Sequence, residues 1–190
     1  MTNDKTYRFA AQTHVGLKRK VNEDAILALP DHDIWLVSDG MGGHQAGDFA
    51  SALIVDTVAS LPLGLDPAAK MHGLRDRIQN AHHAIQAEAA ARGGGTIGAT
   101  VVALILANGH FVCLWAGDSR IYRLRNGTIE MLTSDHSAVA DFVLAGKMAW
   151  DEADQRPHAN AITRAVGVGD ALELDKVRGM VESGDRFLIC

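Results

Sequence analysis

The sequence predicts an α+β fold in which two antiparallel sheets pack face to face, with helices on an outer face. Three observations predict it. Strand-like and helix-like segments fall in separate runs rather than alternating, which separates α+β from α/β. Asn108-Gly109 and Asn126-Gly127 are two-residue hairpin signals and make the strands around them antiparallel. The helical segments carry a single apolar face and need a sheet to bury it.

Taken in order, Thr6–Gly16 has the mixed alternation of a strand. Ala25–Leu29 reads as a second strand, closed by Pro30 and the turn Asp31-His32-Asp33. Ile34–Val37 is a short apolar strand that runs into Ser38-Asp39-Gly40. A helix follows over Ala46–Leu61, ended by Pro62. A longer one spans Ala68–Arg92, where Leu74, Ile78, Ala81 and Ile85 recur on one face and Gly93-Gly94-Gly95 stops the pattern. The period then changes to that of strands. Thr100–Leu106, His110–Ala116, Ser119–Leu124 and Thr128–Leu132 read as a four-strand meander. Asp141–Asp154 looks helical, with Pro157 beyond it, and Asp185–Cys190 is a last apolar strand.

The composition narrows the function classes. Hydrophobic residues make up 47% and charged residues 22%, which excludes disorder for most of the 190 residues. The net charge of −5 comes with no basic stripe, so nucleic-acid binding is not expected. The run Val101–Ala107 is too short to span a bilayer, and the polar N-terminus lacks a signal core. Cys113 and Cys190 form no metal-ligand or disulfide spacing. A cytoplasmic protein without membrane contact is expected. No GxxxxGK[ST], GxGxxG or GxSxG is present, against a P-loop ATPase, a dinucleotide site or an α/β-hydrolase. His82-His83 read as surface residues.

Several segments carry acids where chemistry would need them. In Ile34–His44 an apolar strand delivers Asp39 to its end, and Gly40, Gly42 and Gly43 leave the backbone free for carbonyls to approach a cation. Oxygen-only donors suit Mg²⁺ or Mn²⁺ rather than zinc. In Arg19–Asp24, two adjacent acids, Glu23 and Asp24, stand near an Arg that could clamp a phosphate. Asp118 occupies a hairpin tip in Ala116–Leu124. In Leu132–Ser137, Ser137 could cap the next helix, while Asp135 and His136 read as turn residues. Each segment alone is compatible with an ordinary turn.

Together they are more specific. RKVNED, SDGMGGHQAGD, TIGATVVAL, AGDSRIYRL, LTSDHS and TRAVG occur in that order, and the chain from about Phe9 to Cys190 resembles the metal-dependent protein phosphatases of type 2C, in their bacterial form. The resemblance implies an α-β-β-α sandwich and hydrolysis of phosphoserine and phosphothreonine in proteins by a metal-activated water. It implies two Mn²⁺ or Mg²⁺ ions, with a third, weaker site. Asp39 and the Gly40 carbonyl would hold metal, Glu23 and Asp24 would support that shell, and Asp118 would serve the third site. Arg19 would clamp the phosphate, and His44 would be a general acid. Residues 137–160 would form a helical flap within one catalytic domain, residues 1–190. Phosphorylated protein loops would be the substrate, and a Ser/Thr kinase would oppose the enzyme.

The family continues past a segment like Asp185–Cys190 with Ser-Asp-Gly-Leu and a later Asp-Asn pair, both ligand-bearing. The chain is therefore expected to be C-terminally truncated and its sandwich incomplete at that end. The missing carboxylates motivate an alternative, a non-catalytic module that binds a phosphoprotein or kinase.

Overall fold

A computed structural model describes residues 7–42, 46–149, 152 and 161–190. Strands β1 (Asp24–Leu29), β2 (Ile34–Met41), β4 (Val101–Ala107), β5 (His110–Ala116) and β8 (Asp175–Met180) form the larger sheet in the order β1-β2-β4-β5-β8. The two-residue β3 (Gly98–Ala99) also pairs with β2. The smaller sheet runs β7-β6-β9, from β6 (Ile121–Arg125), β7 (Thr128–Met131) and β9 (Arg186–Ile189). Every pairing is antiparallel. Helices α1 (Gly47–Ala59) and α2 (Pro67–Ala91) cover the larger sheet, and α3 (Ala140–Leu144) is short.

The alternation along β4 shows how the layers are held. Val101, Ala103 and Ile105 join Ile54, Val58, Leu74 and Ile78 in the core under the helices. Val102, Leu104 and Leu106 point the other way, against Phe111, Trp115, Ile121 and Phe187 between the sheets. A strand buried on both faces reads as a continuous apolar run, which is why β4 was visible in the sequence. Asp66 caps α2 by accepting from the Ala68 and Ala69 amides at 2.9 Å. Asn108 and Asn126 take positive φ at 49°, each followed by glycine, as two-residue hairpins require.

Four expectations need correction. Among the described residues, those of Thr6–Gly16 join no ladder. Tyr7 and Phe9 instead set their rings edge-on to Trp35, with centroids 5.7 and 6.3 Å away. Two rings covering one tryptophan produce the alternation of a strand without its hydrogen bonds. The meander is also broken, because Gly117–Arg120 carries the chain from the larger sheet to the smaller. The helix expected over Asp141–Asp154 is interrupted: among the described residues Ala140–Leu144 and Glu152 are helical and 145–149 are not. Gly146, at φ 65°, closes Ala140–Leu144, with the Lys147 amide donating to the Phe142 carbonyl. Finally, His82 is fully buried, not on the surface. Its Nδ1 accepts from the Gly167 amide at 2.9 Å, tying α2 to the loop after residue 161.

A cavity of about 1260 Å³ lies between the sheets, lined by Tyr7, Phe9, Trp35, Leu104 and Phe187 among others. None of the acids singled out in the sequence lines it.

Candidate metal centre

The acids gather at one end of the larger sheet because of strand register. Asp24 pairs with Asp39 across β1 and β2. The β2 ladder runs from Val37↔Val102 to Gly40↔Ala99, which sets Thr100 opposite Asp39. Val101↔Ala116, extended by one residue, sets Gly117 opposite Thr100. One cross-strand row therefore reads Asp24, Asp39, Thr100, Gly117, and Asp118 follows at once. Along β2, Trp35 and Val37 pack toward the smaller sheet, so Asp39, two residues on, stands on that same face.

The opposite face of the strand end has no room for side chains. A Cβ on Gly40 would run into the Gly47 carbonyl and come within 2.8 Å of the Glu23 carbonyl. A Cβ on Gly47 would lie 2.6 Å from Glu23 Oε1. The Gly40 amide donates to the Glu23 carbonyl at 2.9 Å, and Ser51 Oγ donates to that same oxygen at 2.6 Å. Glu23 is thus held against the first turn of α1, where helix amides favour negative charge. Gly47 and Ser51 were not singled out in the sequence. Their signal is the spacing of small residues on the first turns of a helix that follows the acid-bearing strand.

Burial pushes the Asp39 carboxyl up to about 6, helped by the negative charges of Asp24 and Asp118 and a hydrogen bond shared with Asp24; Arg19 opposes the shift. The residue still opens to solvent on one side, which tempers the energetic weight of that shift. Asp118 is raised for the same leading reason, burial, with Asp135 adding to it and Arg120 acting against it. Arg19 lies at the rim with its side chain 76% exposed, its Nη1 3.1 Å from Glu23 Oε2. His44 lies outside the described residues.

Residues behind Asp118 also form a connected set, of which the sequence drew notice only to Asp135 and His136, as turn residues. Arg120 makes a bidentate pair with Asp135 at 2.8 and 2.6 Å. His136 Nδ1 accepts from the Gly117 amide at 3.1 Å, which leaves its Nε2 to donate to Asp175 Oδ2 at 3.1 Å. Arg164 holds the other oxygen of Asp175 at 2.6 Å. Burial would raise Asp175, but the hydrogen bonds from His136 and Arg164 outweigh it and lower its pKa. Ser137 does cap the next turn, accepting from the Ala140 amide at 3.2 Å.

The donor set is entirely oxygen. Acids that raise one another's proton affinity would be relieved by a hard divalent cation, so the residues fit Mg²⁺ or Mn²⁺. Among the described residues no three His, Cys, Asp or Glu side chains close into a cage. The arrangement is an open cluster, not a structural site of the zinc type.

Known proteins share this architecture. The protein phosphatase 2C family profile matches residues 14–174. A serine/threonine phosphatase, stp, of Listeria welshimeri is 35% identical over 190 residues, covering 94% of this chain and 74% of its own length. Among solved structures, PppA, a key regulatory component of T6SS in Pseudomonas aeruginosa, superposes with a TM-score of 0.86. It is 43% identical, and the match covers 95% of this chain and 74% of that one. The catalytic domain of the phosphatase PstP, solved in complex with two manganese ions, gives a TM-score of 0.79 at 30% identity, covering 96% and 76%.

Fold and matches together define a bacterial serine/threonine phosphatase domain of the PPM type. The chain belongs to the protein phosphatase 2C family and is an enzyme of the hydrolase class. Among the described residues no helix is long and apolar enough to cross a membrane.

Proposed function

We propose that this protein hydrolyses phosphoserine and phosphothreonine in other proteins by a metal-activated water, using Mn²⁺ or Mg²⁺ held at the end of β2. The observation that carries this reading is the Asp39 carboxyl, set between Asp24 and Asp118 and pushed up to about 6 by burial and by those charges. A divalent pair, when bound, makes water a competent nucleophile and offsets phosphoryl charge.

The chain's own residues have distinct tasks. Asp39 and the Gly40 carbonyl hold metal, Glu23 and Asp24 orient the shell, and Asp118 serves a further, weaker site. Arg19 leaves its pairing with Glu23 to take two phosphoryl oxygens, for which a guanidinium is shaped. His44 supplies the proton to the leaving hydroxyl. No nucleophilic Cys or Ser is required: the Cys113 thiol is buried and pushed up to about 12, which keeps it inert at neutral pH. The flap expected over residues 137–160 lies in part outside the described residues; it belongs with the rest of the chain to one catalytic domain. The substrate is a phosphorylated protein loop, the opposing enzyme is a Ser/Thr kinase, and the setting is the cytoplasm.

Phosphate release from a phosphothreonine peptide tests this. The expected result is turnover with Mn²⁺ that stops on adding a chelator and returns with excess Mn²⁺. Metal uptake with no turnover would favour instead a module that binds phosphoproteins or a kinase without cleaving them.

A further inference from the structure

We propose that Thr100 is a positioning residue that locks the strand end carrying Asp39 to the turn carrying Asp118 and so fixes the placement of the two carboxylates. Its consequence for metal binding rests on the metal site proposed above; the lock itself does not.

Thr100 is 3% exposed and sits between two segments that share no other described hydrogen bond. Its Oγ1 accepts the Asp39 amide at 2.9 Å. The same oxygen lies 2.6 Å from Ser119 Oγ, itself 9% exposed. Its amide donates to the Asp39 carbonyl at 2.8 Å, and its carbonyl accepts from the fully buried Ser38 hydroxyl at 2.7 Å. Every polar atom of Thr100 is thus committed to the residues beside the two acids. Its methyl does further work. A Cβ on Gly117 would stand 2.6 Å from Thr100 Cγ2 and 2.7 Å from its Cβ. Gly117, at φ 113°, therefore lies flat on the threonine, and the chain turns there toward the smaller sheet.

A simple packing role predicts less than this. Valine has nearly the same shape as threonine but lacks the hydroxyl, so packing alone would let Val replace Thr. Serine keeps the hydroxyl and loses only the methyl. The lock ranks Ser above Val for the acids' placement, and packing ranks them the other way.

Three variants, Thr100→Val, Thr100→Ser and Ser119→Ala, test the lock by amide hydrogen exchange without metal and by Mn²⁺ titration calorimetry. In Thr100→Val the Asp39 amide should exchange about tenfold faster, the loss of one buried hydrogen bond, while β4 amides keep their rates. Mn²⁺ affinity should fall about tenfold, the scale seen when a ligand loses its support. Thr100→Ser should restore both. Should Thr100→Val fail to fold, Ser119→Ala decides: it should leave the Asp39 amide protected and still weaken Mn²⁺. Unchanged Asp39 exchange in Thr100→Val, or Thr100→Ser behaving like Val, overturns the proposal, as does a Ser119→Ala chain with wild-type affinity. If the wild-type chain takes up no Mn²⁺, the metal reading fails, and the Asp39 exchange rate in the Val and Ser variants alone decides whether the lock exists.

Discussion

The two faces of the larger sheet are put to different uses. The face under α1 and α2 is closed: Ile34, Ile54, Val58, Leu74, Ile78, Ala81 and Ile85 are fully buried. The face toward the smaller sheet is only partly filled. Its core cluster gives way to a cavity of about 1260 Å³, and its far end carries Asp24 and Asp39. Because a strand alternates its side chains, β2 serves both at once. Leu36 and Gly40 complete the closed face, and Val37 and Asp39 stand on the open one. The comparison teaches that stability is concentrated on one side of the sheet, leaving the other free to hold repelling acids.

The largest expected break in that division of labour is on the open face. Asp39→Ala should cut Mn²⁺-dependent phosphate release by more than ~100-fold, beyond the loss typical of a group that merely supports a ligand, while far-ultraviolet circular dichroism stays unchanged. On the closed face the effect should fall on stability instead. Ile78→Ala should lower the unfolding free energy by about 2–5 kcal/mol in denaturant titration. Leu188→Ala, at a position 56% exposed on β9, should change it by less than ~0.5 kcal/mol.

Gly40→Ala should sharpen the comparison, since the new methyl points from the acid-bearing strand into the Gly47 carbonyl. It should cost about 1–3 kcal/mol of stability by overpacking and also weaken Mn²⁺ binding, which Ile78→Ala should not do. The smallest effect is on pH. Asp39 is raised from its ordinary value of 3.8 to about 6, so between those values the folded state binds more protons than the unfolded one. Its contribution to metal-free stability is therefore greatest below pH ~4 and declines as pH rises through about 6. Asp39→Asn should flatten that segment of a thermal-unfolding profile. Mn²⁺ affinity should run the other way and weaken as pH drops below about 6.

Much of this was legible in the sequence, and where it was not, the reasons are physical. The strands β4 and β5 were plain because both their faces are apolar, and the helices because Leu74, Ile78, Ala81 and Ile85 keep one stripe. That same stripe should have claimed His82, which lies four residues after Ile78 and three before Ile85. Its polarity hid it: the Gly167 amide satisfies its Nδ1, while its buried Nε2 has no hydrogen-bond partner among the described residues. The strand β8 was missed because Asp175, Lys176 and Arg178 look like a loop. It is an edge strand, and charged side chains belong there.

In the sequence the candidate acids stand out and the residues around them do not. Asp39, Glu23, Asp24 and Asp118 stand out because carboxylates at strand ends and hairpin tips draw notice. Thr100 and Ser119 do not, since their importance appears only once register sets Thr100 between Asp39 and Gly117. Likewise His136, Asp175 and Arg164 lie far apart in the chain, and nothing local in the sequence joins them.

The central claim is that the open end of the larger sheet is a divalent-metal site organised by Asp39. Mn²⁺ calorimetry on the metal-stripped chain beside its Asp39→Ala variant tests it most directly. Saturable binding by the wild type and its loss in a variant that remains folded is the predicted result. Equal Mn²⁺ binding by the two chains would contradict the claim.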